Sequence, residues 1–556
     1  MTKNNTRNHN KNIAMIHSAF DQFNAGDHQS ALNICNKLLR KNTKDVGALN
    51  LIGIIKDNLN EKETAIKYFK KASCLTPQNA DILGNIGIAS FEINNYGEAK
   101  TYLIRSLAIN DNNSVGHNLL GKMYEKDDTE KALFHMEKSF LINPKQDKLA
   151  INIGLLNLKI KKFTEAHKWL KRGLTLNPTN ADALNALGVV EQEFGYLDAA
   201  STLYSQAIKN KPDSANGHNN LGYLLLTQQK TDAAQENLLK ALSLAPDSQE
   251  IKNNLSMLEL LTRQFKDGWQ HYRFRNAVKD GVYDLPPENS PENITGKKIL
   301  ILREQGIGDE LFFLRFITQL TSLSESTSYL PCPKLTPLLK KLNIVDSILE
   351  EMPDKKTFDV CISVGDLPYL LNHNIDNTPP PLSLTTNNDA LDIVNGVLSE
   401  FGPPPYVGLT WRAGGIVNNT KTGSYIKDIE LTTLCQAVKN RPGTIIAIQK
   451  GAQHSEFEFI ASQLNRPVLN AAIYHDDLEK MLALLSIIDT YISVSNTNIH
   501  LREGLGKISD VLVCSPPEWR WENKGKTSLW FPNSRIHRQT ADGDWTNAIT
   551  ELVSAQ

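Results

Sequence analysis

A period of about 34 residues, typical of helical repeats, runs through the first half of this 556-residue chain and constrains its fold more than any other feature. Six glycines recur at this period, and an alanine follows each glycine about a third of the period later. After a further third comes a proline, which one unit replaces by an aspartate. The three sets are Gly53, Gly87, Gly121, Gly154, Gly188 and Gly222; Ala65, Ala99, Ala132, Ala166, Ala200 and Ala234; and Pro77, Asp111, Pro144, Pro178, Pro212 and Pro246. A fixed period of this length predicts an array of repeated units.

Each of the three positions has a physical role in a pair of helices. A glycine in the first helix lets the second helix approach closely, because no Cβ stands between them. The alanine lies on the second helix where the pair crosses, and the proline ends the unit because it cannot continue a helix. Each pair leaves an apolar face that the next pair covers, which predicts an α superhelix with a long concave surface.

The pattern resembles the tetratricopeptide repeat, a helix–turn–helix unit of about 34 residues. We place full repeats at 46–79, 80–113, 114–146, 147–180, 181–214 and 215–248. A degenerate repeat at 12–45 and a capping repeat at 249–282 extend the predicted array to 12–282. The array is expected to bind a protein.

Four asparagines fall two residues before the glycine position of their repeats: Asn85, Asn152, Asn220 and Asn254. In protein O-glycosyltransferases with similar arrays, asparagines at this place form a concave ladder that grips a peptide backbone. An amide suits that task because it offers both a donor and an acceptor. The alternative is that asparagine is common in this chain and the first helix of a repeat tolerates it.

Composition excludes several other classes of protein. The net charge of −1 gives no basic field for nucleic acid. Six widely spaced cysteines show neither a CxxC pair nor zinc spacing, so neither a disulfide scaffold nor a structural zinc site is expected. The polar start, MTKNNTRNHNKN, and the polar residues that interrupt the apolar stretch 481–494 predict no secretory signal and no membrane span. We therefore expect a cytoplasmic protein.

The second half has the pattern of an α/β protein. A proline-rich linker at 283–296 precedes short apolar runs at 298–303, 358–364, 406–411, 444–449, 489–494 and 510–514, which alternate with helical segments. Such alternation predicts parallel sheets with helices on both faces. Proline clusters at 379–381 and 403–405 divide this half into lobes at 297–385 and 405–556. We expect the array and the lobes to have separate cores, the alternative being that the capping segment 268–275 packs on the first lobe. We expect the lobes to face a cleft that binds a nucleotide-sugar.

Several segments of this half support a resemblance to a known family. The segment 304–316, EQGIGDELFFLRF, resembles the EQGxGDxxxFxRY signature of bacterial tetratricopeptide-repeat glycosyltransferases. Their catalytic half is similar to the heptosyltransferases of glycosyltransferase family 9, with a GT-B fold of two Rossmann-like lobes. Residues 268–272, 517–521, 530–532 and 537–539 also fit the family. The similarity departs at 493–500, SVSNTNIH, where relatives commonly carry VDTxxAH and where we place Asn496 at the aspartate.

The resemblance implies a general base for the acceptor hydroxyl, and Asp309 matches the aspartate proposed for that role. It follows the turn of Gly306 and Gly308, which allow a ligand to approach closely. The alternative is that Asp309 is an ordinary cap of a helix N-terminus.

The remaining candidates would bind the donor. Arg412 and Lys427 are candidates to neutralise a diphosphate, and Gln449 follows a strand where a nucleobase typically rests. Asn496, Thr497 and His500 lead into a helix whose N–H groups and hydroxyls are suited to phosphate or ribose. For the two cations the alternative is a solvated surface charge, and for His500 a structural histidine. We expect no cofactor and no metal, since the DxD sequence at 542–544 is better explained as a turn.

Together these features predict a glycosyltransferase that moves a sugar from a nucleotide-activated donor to Ser/Thr of a protein held by the repeats. By analogy, flagellin is the acceptor that we name first. One alternative is a lipid or polysaccharide acceptor, with repeats that serve only assembly. Another is a non-catalytic interaction scaffold with a degenerate transferase domain.

Overall fold

The computed structural model describes residues 3–275, 293–304, 306–413 and 427–554. Most of the predicted linker, at 283–292, lies outside these residues, as does Gln305 of the signature. By packing, the chain divides into two compact units, Met1–Glu191 and Gln192–Gln556. We describe each unit by itself.

The first unit is an array of helices in successive pairs. The helices are α1 Lys3–Asn24, α2 His28–Lys41, α3 Val46–Asn58, α4 Lys62–Leu75, α5 Ala80–Glu92, α6 Tyr96–Ile109, α7 Ser114–Tyr124, α8 Thr129–Ile142, α9 Asp147–Lys159, α10 Phe163–Leu176 and α11 Ala181–Glu193, whose last two residues belong to the second unit. Short polar side chains begin many of them, as where Asp45 accepts a hydrogen bond from the backbone N–H of Ala48 at 3.0 Å. The predicted repeats from residue 46 onward each start at the first residue of a helix.

The repeat glycines allow the close helix contacts that the sequence predicts. A Cβ added to Gly87 would lie 2.6 Å from Leu103 Cγ of the next helix, and one added to Gly154 would lie 2.7 Å from Leu170 Cγ. Gly53 faces the ring of Phe69 in the same way, at 2.5 Å. A methyl group at these places would push the two helices of a pair apart, which explains the period of glycines.

The second unit begins with helices of the same kind and continues into two parallel sheets. Its helices up to residue 275 are α12 Leu197–Asn210, α13 Ala215–Thr227, α14 Thr231–Leu244, α15 Gln249–Leu261 and α16 Phe265–Tyr272. The first sheet has the order β3-β2-β1-β4, with β1 Lys298–Leu302, β2 Ser326–Leu330, β3 Ser347–Ile348 and β4 Val360–Ser363. The second has the order β10-β9-β8-β5-β6-β7, with β5 Tyr406–Thr410, β6 Thr444–Ala447, β7 Val468–Asn470, β8 Thr490–Val494, β9 Ser509–Val513 and β10 Ser534–Arg538. All neighbouring strands pair in parallel.

Helices cover these sheets. They are α17 Ile307–Phe313, α18 Ile317–Thr321, α19 Thr336–Leu342, α20 Leu367–Leu370, α21 Asn388–Phe401, α22 Leu431–Val438, α23 His454–Leu464, α24 Leu478–Ile487, α25 Thr497–Gly504 and α26 Thr546–Ser554. The expectation of parallel sheets with intervening helices is thus confirmed. Strands β2, β3, β7 and β10 were not predicted, because they are short or rich in polar residues.

The expectation of separate cores for the array and the lobes is wrong. Phe265, Trp269 and Tyr272 of α16 are 4%, 2% and 9% exposed and belong to the same apolar core as Ile299 and Ile301 of β1. Trp269 Nε1 also donates a hydrogen bond to His373 Nδ1 at 2.8 Å. The last predicted repeat is therefore part of the α/β core, because its aromatic face is covered by the first lobe.

A buried ionic cluster lies beside this contact. The guanidinium of Arg275 bonds the carboxylate of Glu304, and its Nη2 lies 2.7 Å from Asp366 Oδ1. Ser363 Oγ donates to the same Glu304 carboxylate. Arg275, Glu304 and Asp366 are each at most 2% exposed, so one cation is shared by two carboxyl groups away from water.

Among the helices that the structure describes, none is both long enough and apolar enough to cross a bilayer.

Candidate functional site

The candidate site lies where residues that follow β1 meet residues that follow β8. Gly308 and Asp309 belong to α17, and Thr497 and His500 belong to α25. A Cβ added to Gly308 would lie 3.3 Å from His500 Cδ2 and 3.4 Å from Thr497 Oγ1. The structure therefore brings together four residues that the sequence analysis selected from two distant segments, at the carboxyl ends of parallel strands.

Asp309 is held by an arginine that the sequence analysis did not select. Arg520 Nη2 lies 2.5 Å from Asp309 Oδ1, and the backbone N–H of Gly306 donates to Asp309 Oδ2 at 3.4 Å. The carboxylate thus contacts its own helix start, as the capping alternative expects, and also forms an ion pair. Its side chain is 25% exposed, so one side remains open to solvent.

Glu518 joins Arg520 to a second cation. Lys427 Nζ lies 2.5 Å from Glu518 Oε1, and Arg520 Nη1 lies 3.9 Å from the same oxygen. Ser495 Oγ donates to Glu518 Oε2 at 2.9 Å. Burial opposes the ionised form of Glu518, but Lys427 and Arg520 outweigh burial and hold the pKa of Glu518 below its ordinary value. We call Asp309, Arg520, Glu518 and Lys427 the charge chain.

His500 lies next to the charge chain without joining it. Its ring packs against Phe531 and Phe312, with centroids 5.0 and 6.2 Å away. Nδ1 is buried and has no hydrogen-bond partner among the described residues. Burial, and then the positive charges of Arg520, Arg315 and Lys427, keep the pKa of His500 well below its ordinary value. The ring is therefore neutral at physiological pH.

Arg412 and Gln449 are engaged with other groups of the second lobe. The guanidinium of Arg412 bonds both carboxylate oxygens of Glu456, the longer contact being 2.8 Å, and this pairing lowers the pKa of Glu456 to about 2. Gln449 is 1% exposed, and its Oε1 accepts from the backbone N–H groups of Trp411 and Arg412 at 3.1 and 2.9 Å. These contacts join the loops after β5 and β6, which favours a structural role for both residues.

Asn496 caps α25. Its Oδ1 accepts from the N–H of Asn498 at 2.8 Å, while its Nδ2 donates to Ser493 Oγ at 2.7 Å. An aspartate would lack that donor, so the amide fits this position better than a carboxylate. Counted back from His500, the aspartate of VDTxxAH falls on Ser495, so our placement of it at Asn496 is one residue off.

The proposed asparagine ladder is only partly visible. In the first unit Asn85 Nδ2 donates to Asn50 Oδ1 at 3.4 Å, and Asn152 is exposed. In the second unit Asn254 is 8% exposed and donates to Asn219 Oδ1 at 2.9 Å, and Asn220 is partly exposed.

These bonds link one repeat to the next. The acceptors Asn50 and Asn219 lie three residues before their glycines, a position that the sequence analysis did not consider. The amide of Asn254 is therefore largely engaged within the protein, whereas Asn152 is open to a ligand.

Sequence reasoning missed Arg520 and Glu518 as site residues. Both lie in the segment 517–521, PEWRW, which the sequence analysis matched to the family without assigning a site residue there. Trp519 packs on Phe312 of the first lobe and on Trp269 of α16, with ring centroids 5.3 and 5.4 Å away. The arginine between two tryptophans was the available signal, because a cation among aromatic rings needs a carboxylate or a ligand.

No group of three or more His, Cys, Asp or Glu side chains suited to a metal ion occurs within the described residues. Asp542 accepts from Thr540 Oγ1 at 2.5 Å, and Gly543 has a φ of +89°, as in a turn. The expectation of no metal remains a prediction.

Comparison with known proteins identifies the repeats. Models of the tetratricopeptide repeat match residues 46–79 and 203–236. Protein FlbA of Caulobacter vibrioides is 22% identical, over 95% of this chain and 87% of its own. BBSome complex member BBS4 of Bos taurus is 29% identical over 26% of this chain and 28% of its own.

Among solved structures, pilF of Pseudomonas aeruginosa is 20% identical, covers 37% of this chain and 95% of its own, and superposes with a TM-score of 0.31. A MamA structure is 25% identical, covers 29% of this chain and 96% of its own, and has a TM-score of 0.27. The chain therefore contains tetratricopeptide repeats, modules of protein–protein interaction, followed by a region with parallel sheets.

Proposed function

We propose that this protein is a glycosyltransferase that moves a sugar from a nucleotide-activated donor to a Ser or Thr hydroxyl of a protein bound by the repeats. The observation that carries the proposal is the meeting of Gly308 and Asp309 with Thr497 and His500, beside the cations Arg520 and Lys427. A carboxylate to take the hydroxyl proton and cations to stabilise the departing phosphate are groups that such a transfer needs.

Each group has a part in the proposed reaction. Asp309 accepts the proton of the acceptor hydroxyl while the oxygen attacks the anomeric carbon, and the bond from that carbon to the donor phosphate breaks. Lys427 and the N-terminal N–H groups of α25 stabilise the negative charge that develops on the departing diphosphate. Gly308 lets α25 approach α17 closely, because a side chain there would meet His500 and Thr497.

The test is transfer to an intact protein. Flagellin is the acceptor to try first, by analogy with the glycosyltransferases that the sequence resembles, together with proteins recovered on the isolated repeats. Intact-mass spectrometry after incubation with a panel of nucleotide-sugars should show a mass increase of one sugar residue per modified site.

Asp309→Asn should lower the transfer rate about 10²-fold or more, because the amide cannot take the hydroxyl proton. Asp389→Asn is the matched control, since Asp389 is an exposed aspartate in the first turn of α21. Equal rates for Asp309→Asn and the wild-type protein would remove Asp309 from the mechanism.

A second candidate function has its own supporting observation. Three cations near the site are each paired with a carboxylate: Arg520 with Asp309, Lys427 with Glu518, and Arg412 with Glu456. A site whose charges are already balanced suits an interaction scaffold that has lost catalysis. On this alternative the repeats bind protein, but calorimetry detects no nucleotide and no acceptor gains mass.

A further inference from the structure

Arg520 has an unusual environment for an arginine. Its side chain is 10% exposed, and its guanidinium carbon lies 4.7 Å from the ring centroids of both Phe312 and Trp519. The Nε atom is buried and has no hydrogen-bond partner among the described residues. An arginine kept among aromatic rings with a donor unused is prepared for a further anionic partner.

The segment around Arg520 is held from several sides. Residues Trp519–Trp521 form one turn of 3-10 helix, and the carbonyl of Arg520 accepts from Ser528 Oγ at 2.7 Å. Trp519 packs on Trp269 of α16, and Glu522 bonds Arg263 at 2.6 Å. The backbone at Arg520 is therefore fixed, so that a change of partner requires only movement of the side chain.

The charge chain contains equal numbers of positive and negative charges. Arg520 and Lys427 carry two positive charges, and Asp309 and Glu518 carry two negative charges. A phosphate group that enters this neutral cluster must compete with a carboxylate for a cation. Arg520 is the cation with a donor to spare, because its Nη1 is 3.9 Å from Glu518 Oε1 and thus beyond hydrogen-bond distance.

We propose that Arg520 is a phosphate-binding residue of the donor site and that it shares its guanidinium between Asp309 and the donor phosphate. This inference rests on the proposed glycosyltransferase function. The planar fork of an arginine presents five N–H donors and can bind two anions at different edges, which a lysine cannot do. One edge holds Asp309 beside the acceptor hydroxyl, and the other meets the phosphate that leaves.

In the transfer step the new bond joins the acceptor oxygen to the anomeric carbon, and the bond from that carbon to the phosphate oxygen breaks. The hydroxyl proton passes to Asp309, and the electron pair of the broken bond stays on the phosphate. As Asp309 loses its negative charge, its hold on Arg520 weakens. The guanidinium is then available to the phosphate at the moment when the phosphate gains charge.

The proposal predicts the direction in which a substitution of Asp309 changes the affinity for phosphate ligands. If Asp309 and phosphate share Arg520, Asp309→Asn releases the guanidinium and tightens the binding of a phosphate ligand. We expect about tenfold tighter binding of inorganic pyrophosphate and of the best-bound of the four ribonucleoside 5′-diphosphates, measured by calorimetry on the full chain. In an Arg520→Gln background the same Asp309→Asn change should leave the affinity unaltered.

Two further variants make the result specific. Lys524→Gln removes an exposed positive charge from the same segment and should leave affinity unchanged, while Arg520→Lys keeps the charge, loses the fork and should weaken binding about tenfold. Thermal melting verifies that each variant is folded. If Asp309→Asn does not fold, the affinity of Arg520→Lys for the same phosphate ligands tests the proposal.

An Asp309→Asn protein that binds no more tightly than wild type, or equal tightening in the Arg520→Gln background, would overturn the role of Arg520 and leave the glycosyltransferase proposal standing. A wild-type protein that binds none of these phosphates and transfers no sugar would overturn both.

Discussion

The boundary of the α/β unit can be tested by truncation. One shortened chain begins at Gly195, in the turn after α11, and keeps α12–α16; the other begins at Asp284 and lacks them. We expect the chain from Gly195 to fold and the chain from Asp284 to be largely unfolded. The reason is that α16 supplies part of the core of the first lobe.

The loss of stability in the chain from Asp284 can be estimated from the side chains that it lacks. Phe265, Trp269 and Tyr272 are nearly buried, and deleting a buried aromatic side chain costs about 3–5 kcal/mol. Three such losses together reach about 10 kcal/mol, which is comparable to the whole stability of a typical domain. The cut also removes Arg275 and leaves Glu304 and Asp366 as buried carboxylates without their cation.

Circular dichroism and thermal melting of the two chains are the assay. A single substitution, Trp269→Ala in the chain from Gly195, should lower the melting temperature by roughly 10 °C, because it removes one of the three aromatic side chains and the bond to His373. Equal melting temperatures for the two truncated chains would refute the assignment of α16 to the α/β core.

Two further predictions concern buried polar groups. Arg275→Met should cost about 3–5 kcal/mol at pH 8. Burial already raises the pKa of Asp366, so its protonation favours the folded state as pH falls through that raised pKa. The difference in unfolding free energy between the variant and the wild-type protein, measured by urea unfolding, should therefore shrink toward pH 5. A difference that stays constant with pH would contradict this account. Asn254→Ala should destabilise the fold by about 1–3 kcal/mol, because the Oδ1 of Asn219 loses the hydrogen bond that Asn254 donates to it. Asn152→Ala should leave stability unchanged and weaken acceptor binding. Equal destabilisation by the two variants would show that the buried Asn254 contributes no more to stability than the exposed Asn152.

The repeats were predictable from sequence because their determinants are local and recur. A glycine that must contact a leucine one helix later leaves a spacing that can be counted, as Gly87 and Leu103 show. The strands that were predicted contain runs of apolar residues, whereas β2 alternates between buried and partly exposed residues and has little apolar content. Periodicity therefore found the helices of the array and the central strands, and missed strands whose polar residues are satisfied by partners elsewhere.

The motif residues of the site were predictable, but their ionic partners were not. Asp309 follows β1 of the first sheet, and Thr497 and His500 follow β8 of the second; ligands bind outside the carboxyl ends of such parallel strands. The pairing of Arg412 with Glu456 depends instead on how two loops approach each other. A sequence shows that a charge is present, but the structure is needed to show which charge balances it.

The order of the second sheet explains how Arg520 comes to face Asp309. Strand β9 lies beside β8, so the segment that follows β9 must run next to Ser495–His500, which follows β8. That segment ends at β10, and β10 was missed because its sequence, SRIHR, is polar. The polarity has a cause: Arg535 and His537 both bond Asp510 of β9, at 2.7–3.0 Å, and Asp510 is 1% exposed. Recognising Asp510 as a buried partner would have identified β10, fixed the path of 514–533, and placed Glu518 and Arg520 at the candidate site.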